Sequence, residues 1–165
     1  MTVSISHRDN NGKILVKGPL GTLEKTFDAK KVDVKSAEGK VDVVLKARPS
    51  RKSNAVLGTF EVHVQNMIKG VQKKYEKKLA LAYLHFPPVL EIKGKEVLIK
   101  TFLGEKVPRK CKIQGTASVE VKGEEIIVSG IDKEDVGQTA SNLVKATAIR
   151  SKDRRVFQDG IYYKV

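Results

Sequence analysis

The chain has 165 residues, with 32 Lys+Arg against 19 Asp+Glu and a formal net charge of +13. That excess calls for a polyanionic counterpart, either nucleic acid or an anionic membrane surface. No apolar run approaches the roughly 18 residues of a bilayer span, and Met1-Thr2-Val3-Ser4-Ile5 lacks the regions of a secretory signal. The single Cys111 excludes an internal disulfide and a paired-cysteine zinc site, so a reduced, cytosolic compartment is expected.

In chain order, Asn11-Gly12 signals a tight turn before the strand-like Ile14-Leu15-Val16-Lys17. Gly18-Pro19-Leu20-Gly21 reads as a turn into a short strand over 23–27; it lacks the Gly-Lys-Ser/Thr ending of a phosphate-binding loop. Val41, Val43 and Leu45 alternate as a strand does. A helix is expected over 53–71 with Ser53 as its N-cap, its apolar stripe made by Leu57, Phe60, Val64, Met67, Ile68 and Val71. Residues 79–86 are apolar on both faces, the pattern of a central strand, and Pro87-Pro88 ends it.

The pattern then returns. Lys93-Gly94 is a second turn signal, and Val97-Leu98-Ile99-Lys100-Thr101-Phe102-Leu103-Gly104 matches Ile14-Leu15-Val16-Lys17-Gly18-Pro19-Leu20-Gly21. A strand is expected over 107–113, and Ala117, Val119 and Val121 alternate. A second helix is expected after Asp132, with Glu134 and Asp135 in its first turn and Val136, Ala140, Leu143, Val144 and Thr147 on its buried stripe. Asn66-Met67-Ile68-Lys69 and Asn142-Leu143-Val144-Lys145 match within the two helices. The order predicts an α+β protein of two tandem copies, 1–75 and 76–165, each a small, mostly antiparallel sheet backed by one helix, arising by internal duplication. Units of about 80 residues bury thin cores.

Arg150, Lys152, Arg154 and Arg155 run into Val156-Phe157-Gln158-Asp159-Gly160-Ile161-Tyr162-Tyr163. Guanidinium groups bind phosphate bidentately and aromatic faces stack on bases, so this terminus suits a polyanion. A solvated basic tail is the plain alternative, with Arg150 serving partly as a favourable charge at a helix C-terminus. Asp159-Gly160 is expected to turn with Gly at positive φ, Phe157 to pack, and Tyr162 and Tyr163 to point to opposite sides with one buried. His7, His63 and His85 show no metal spacing, Cys111 reads as a packed thiol, and no catalytic, cofactor or small-molecule constellation appears.

Val16-Lys17-Gly18-Pro19-Leu20-Gly21-Thr22-Leu23, His63-Val64-Gln65-Asn66-Met67-Ile68-Lys69-Gly70-Val71, His85-Phe86-Pro87, Phe102-Leu103-Gly104-Glu105-Lys106 and Phe157-Gln158-Asp159-Gly160-Ile161-Tyr162 together resemble the universal large-subunit ribosomal protein six family, in its archaeal and eukaryotic branch. The resemblance covers nearly the whole chain. It implies two duplicated α+β units and a structural, non-enzymatic role at the cytoplasmic ribosome. It also implies binding of large-subunit ribosomal RNA near the stalk base, beside the sarcin–ricin loop where translational GTPases dock, with neighbouring ribosomal proteins as partners. On the same resemblance neither a membrane nor a cofactor is expected. The family's main RNA contacts, carried onto this chain, point to Lys106, Arg109, Lys110 and Lys112, and to Arg150, Lys152, Arg154 and Arg155, with Tyr163 beside them. Strand alternation sets Lys110 and Lys112 on one face and Cys111 on the other. The paired tryptophans of the family are missing from 46–52, so their contacts are not carried over. Charge alone equally permits a free-standing RNA-binding or RNA-chaperone module.

Overall fold

A computed structural model describes residues 2–8, 11–28, 32–37, 40–45, 48–84, 86–150, 152–153 and 155–164. Arg154, His85, Lys30 and Lys31 lie outside them. The chain divides into two compact units, Met1–Lys74 and Tyr75–Val165.

In the first unit, β1 (Thr2–Arg8), β2 (Asn11–Gly18) and β3 (Gly21–Asp28) form an antiparallel sheet in that order, and β4 (Val32–Ala37) pairs with β5 (Lys40–Leu45) as a hairpin. Helix α1 (Arg51–Gln72) packs on β2, β3 and β5. Its apolar side buries Phe60, Val64, Met67 and Val71 against Ile14, Val16, Leu23 and Phe27, with the Phe27 and Phe60 rings 5.0 Å apart. Full burial of each such side chain stabilises by about 1.5–3 kcal/mol. The helix starts earlier than its stripe predicts. Ser50 is the N-cap: its side chain accepts from the Ser53 amide at 3.1 Å, and Ser53 Oγ accepts from the Ser50 amide at 2.7 Å. Ser53 is thus the returning half of a capping box instead of the cap itself.

Two glycines allow close approaches. Asn11-Gly12 lies inside β2, paired with Arg8 and His7, and is not the turn its sequence signals. A Cβ on Gly12 would stand 2.0 Å from the Phe27 ring, so the ring occupies the space that a side chain would need. The two-residue turn Pro19-Leu20 does join β2 to β3, where the Leu20 amide donates to Val71 O and a Cβ on Gly18 would meet Val71 at 2.6 Å.

The second unit repeats this order. β7 (Val89–Lys93), β8 (Glu96–Lys100) and β9 (Arg109–Lys112) form an antiparallel sheet, then β10 (Ser118–Lys122) pairs with β11 (Glu125–Gly130), and α2 (Lys133–Ala146) follows. The tight turn signalled by Lys93-Gly94 forms one residue on, at Gly94-Lys95, with Gly94 at φ 58° and Lys93 closing β7. To the hairpin the unit adds β6 (Tyr75–Ala82), paired with β11 on one side and with β12 (Gly160–Tyr163) on the other. The α+β architecture is as read, and within each unit the strands divide between two sheets. β6 is central but starts and ends four residues earlier than the apolar run 79–86: Leu79 and Leu81 are buried, while Leu84 and Phe86 are exposed.

Helix α2 packs on β6, β9, β11 and β12, so it touches both sheets of its unit. Asp132 caps it, accepting from the Glu134 amide at 2.8 Å. Val136, Thr139, Ala140 and Leu143 are buried against Leu79, Val97, Ile99, Ile126, Val128 and Ile161. Among the described residues no helix is long and apolar enough to cross a membrane.

Candidate nucleic-acid interface

The described basic residues that the sequence assigns to RNA contact lie on three supports. The first is β9, where Lys110 and Lys112 are exposed on one face while Cys111 is buried on the other. Burial pushes the Cys111 thiol up to about 11, which leaves it protonated and unreactive. The far end of β9 is tied to α2: Asn142 Nδ2 donates to Lys112 O at 3.2 Å, and the Gln114 amide donates to Thr139 Oγ1 at 3.0 Å.

The second support is the connection 101–108 between β8 and β9, which carries exposed Lys106. Its sequence matches the short turn of the first unit but its conformation does not. Phe102–Gly104 forms a 3-10 turn in which Thr101 (φ 56°), Leu103 (φ 52°) and Gly104 (φ 76°) all adopt left-handed backbone around a buried Phe102. Two non-glycine residues there carry local strain.

The third support is the stretch between α2 and β12. Arg150, Lys152 and Arg155 are exposed on it. Arg150 lies three residues past the C-cap Thr147, and Lys145 is the basic residue of the last helical turn. The Lys152 ammonium sits 4.4 Å from the centre of the Phe157 ring, and Phe157 packs on the core as expected. The amides of Val156 and Phe157 donate to Asp153 O, and the Arg155 amide donates to Asp153 Oδ1, folding the segment back.

Both ends of this stretch are fixed. Buried Thr147 Oγ1 accepts from the Ile161 amide at 3.0 Å and donates toward Val144 O at 3.1 Å. Asp159 is buried, its Oδ1 accepting from the Leu84 amide at 2.8 Å. Gly160 opens β12 without a positive φ, so Asp159-Gly160 is an anchored strand entry, not a left-handed turn. Tyr162 and Tyr163 are both about half exposed, because the side chain that goes under α2 is Ile161. Tyr162 Oη donates to Gln158 O, and Lys77 Nζ lies 5.0 Å from the Tyr163 ring.

Arg109 differs from the other predicted cations. Its guanidinium grips Glu105 bidentately, Nε to Oε2 at 2.8 Å and Nη2 to Oε1 at 2.6 Å. Nη1 donates to Ala146 O at 2.9 Å and Ala148 O at 3.3 Å, and the group lies 4.5 Å over the Phe102 ring. The Arg109 hydrogen bond holds the Glu105 carboxyl below its usual range, assisted by the charge of Arg109 and, more weakly, of Lys152. The structure therefore brings the 101–112 segment up to Ala146, Ala148 and Lys152, a juxtaposition invisible in the sequence. Tyr163 lies apart on β12, beside Lys77. Among the described residues, Lys106, Lys110, Lys112 and Arg150 have no carboxylate partner, whereas Lys100 pairs with Glu91 and Lys164 with Glu125. Thr147, Asp159 and Glu105 hold these supports in place, roles that sequence reasoning missed. Only Glu105, four residues before Arg109 and so at ion-pair spacing, left a signal.

The pattern described as ribosomal protein L6 matches residues 1–74 and 86–160, two tandem segments. The large ribosomal subunit protein uL6 of Methanosarcina mazei is 49% identical over 147 residues, 88% of this chain and 82% of that protein. The protein of the same name from Methanococcus vannielii is 43% identical over 159 residues, covering 96% of this chain and 87% of the relative. That of Archaeoglobus fulgidus is 46% identical over 145 residues, 88% of this chain and 74% of the relative. Similarity of this depth along both units, with a duplicated α+β fold, means that the chain belongs to the ribosomal protein L6 family, in its archaeal branch.

Proposed function

We propose that this chain, a structural constituent of the large ribosomal subunit and not an enzyme, binds large-subunit ribosomal RNA near the stalk base, beside the sarcin–ricin loop, and supports the region where translational GTPases dock. Family membership carries the coarser part: work at the cytoplasmic ribosome, with ribosomal RNA and ribosomal proteins as partners. The second repeat carries the grip. What supports that assignment is the approach of the Glu105–Arg109 region, which carries Lys106 and Lys110, to Ala148 and Lys152 past the end of α2, with Lys106, Lys110, Lys112 and Arg150 free of carboxylate partners among the described residues. Exposed ammonium and guanidinium groups on fixed backbone suit the phosphates and 2′-hydroxyls of folded A-form RNA, with little base reading.

The test compares Lys110→Ala/Lys112→Ala with Arg51→Ala/Lys52→Ala, an equally exposed pair at the start of α1. Binding to large-subunit ribosomal RNA is followed as a function of salt. Loss of two phosphate contacts flattens the slope of log K by about 1.4–1.8, at roughly 0.7–0.9 per phosphate, in the first variant only. Equal losses in both variants overturn the assignment to the second unit. Crosslinks in native subunits that map away from the sarcin–ricin loop overturn the placement.

A further inference from the structure

Arg109 sits among the basic residues of the interface, yet all three of its guanidinium nitrogens are engaged inside the protein: Nε and Nη2 with Glu105, and Nη1 with Ala146 O and Ala148 O. Those carbonyls lie where α2 ends, at positions that lack helical partners and favour a cation. Glu105 belongs to the 101–108 connection, whose left-handed Thr101 and Leu103 persist only if their surroundings hold them. Phe102, the buried residue between them, is covered by the same guanidinium. One planar group thus joins three elements: the strained connection, β9 and the end of α2. Lys106 follows Glu105 directly, and Lys152 stands close enough to contribute to the electrostatics of Glu105.

We propose that Glu105 and Arg109 form a clasp locking the 101–108 connection to the end of α2, so that Arg109 is a positioning residue fixing the spacing of Lys106 and Lys152 and is not itself a phosphate ligand. The proposal rests on the RNA-binding reading above. It requires a fork of donors with a flat face; lysine supplies the charge but neither the fork nor the stacking plane.

The clasp and simple charge attraction predict opposite signs for Glu105→Gln. Removing this carboxylate raises the formal net charge from +13 to +14 (13 + 1), which on bulk attraction strengthens binding to RNA. On the clasp it weakens binding to large-subunit ribosomal RNA by about tenfold, and Arg109→Lys, which keeps the charge, does the same. Glu61→Gln on the exposed side of α1 is the control and does not weaken binding. Hydrogen exchange at amides 148–157, measured without RNA on variants whose melting shows them folded, rises in both clasp variants. Unchanged exchange, or RNA binding by Glu105→Gln at or above the unsubstituted level, overturns the clasp. If exchange rises but neither these variants nor Lys110→Ala/Lys112→Ala alters RNA binding, the RNA reading falls and the positioning role with it.

Discussion

The Thr147 hydroxyl, wholly enclosed, joins the last turn of α2 to β12 by accepting the Ile161 amide. Thr147→Val preserves shape but leaves that amide buried and unpaired, and is expected to lower stability by about 1–3 kcal/mol. Thr147→Ser keeps the oxygen and is expected to cost less than Thr147→Val; denaturant midpoints measured side by side check the order. Glu105 gives a pH signature. Its carboxyl is depressed below the ordinary 4.5, first by the Arg109 hydrogen bond. A depressed carboxyl contributes stability that is present above the unfolded value and lost as pH falls through the folded one. The stability gap between the unsubstituted protein and Glu105→Gln should therefore be present at pH 7 and close as the solution is acidified below about pH 4.5. Thermal melts across that range check it. Such roles were not legible in the sequence for a definite reason. The partners of Arg109 at the end of α2 and just past it are main-chain carbonyls 37 and 39 residues away, and backbone acceptors have no sequence identity to recognise. Strand alternation, being local, did place Lys110, Cys111 and Lys112 on their faces. The same rule misjudged the tyrosine pair, because alternation says which side a residue faces and not how far α2 reaches over it.

Among the elements, helices were the most readable. Both carry a 3.6-residue apolar stripe, and the stripe is what packing selects. The start of α1 was harder, since Ser50 and Ser53 are both good caps and only the chain geometry decides. Ser50→Ala is expected to cost about 0.5–2 kcal/mol, read by chemical denaturation. Division of each unit into two sheets was not readable, because pairing between distant strands is set by tertiary fit while the local pattern shows only hairpins. The run 79–86 misled for a related reason: Leu84 and Phe86 stay exposed although they continue the apolar sequence of β6. The matched octets mislead about conformation in the same way. Pro19-Leu20 makes a tight turn, whereas its counterpart winds through left-handed Thr101 and Leu103. A β-branched residue at φ 56° costs roughly 1–2 kcal/mol, and asparagine tolerates that region better. Thr101→Asn is expected to raise stability by about 1 kcal/mol at most, since the Thr101 hydroxyl contacts with Lys100 O and Pro87 O are lost. A fall in the denaturation midpoint would mean that those contacts outweigh the strain.

For the whole molecule, a formal charge of +13 on two small units makes RNA a stabilising ligand as well as a partner. At a free RNA concentration one hundred times Kd, mass action adds about 2.7 kcal/mol to apparent stability. Hydrogen exchange should show where this acts. Slowing by large-subunit ribosomal RNA is expected mainly at 150–156, whereas Ile161, already bonded to Thr147 and buried, should be slow with or without RNA. Uniform slowing along 150–163 would mean that β12 itself forms only on the RNA. The strand order of the second unit also has a temporal consequence. Its central strand, β6, is the first segment of the unit to be synthesised, and its neighbour β12 is the last. Translation therefore leaves one side of β6 without a neighbour until residues 160–163 have been made, while the first unit, closed by α1, can fold well before. The basic stretch between α2 and β12 gains its second anchor only at that moment. A nascent chain that stalls before residue 160 therefore carries the lysines of 106–112 yet lacks the strand that fixes the far end of the basic stretch, and on the proposed function it is expected to bind large-subunit ribosomal RNA more weakly than the chain that includes β12.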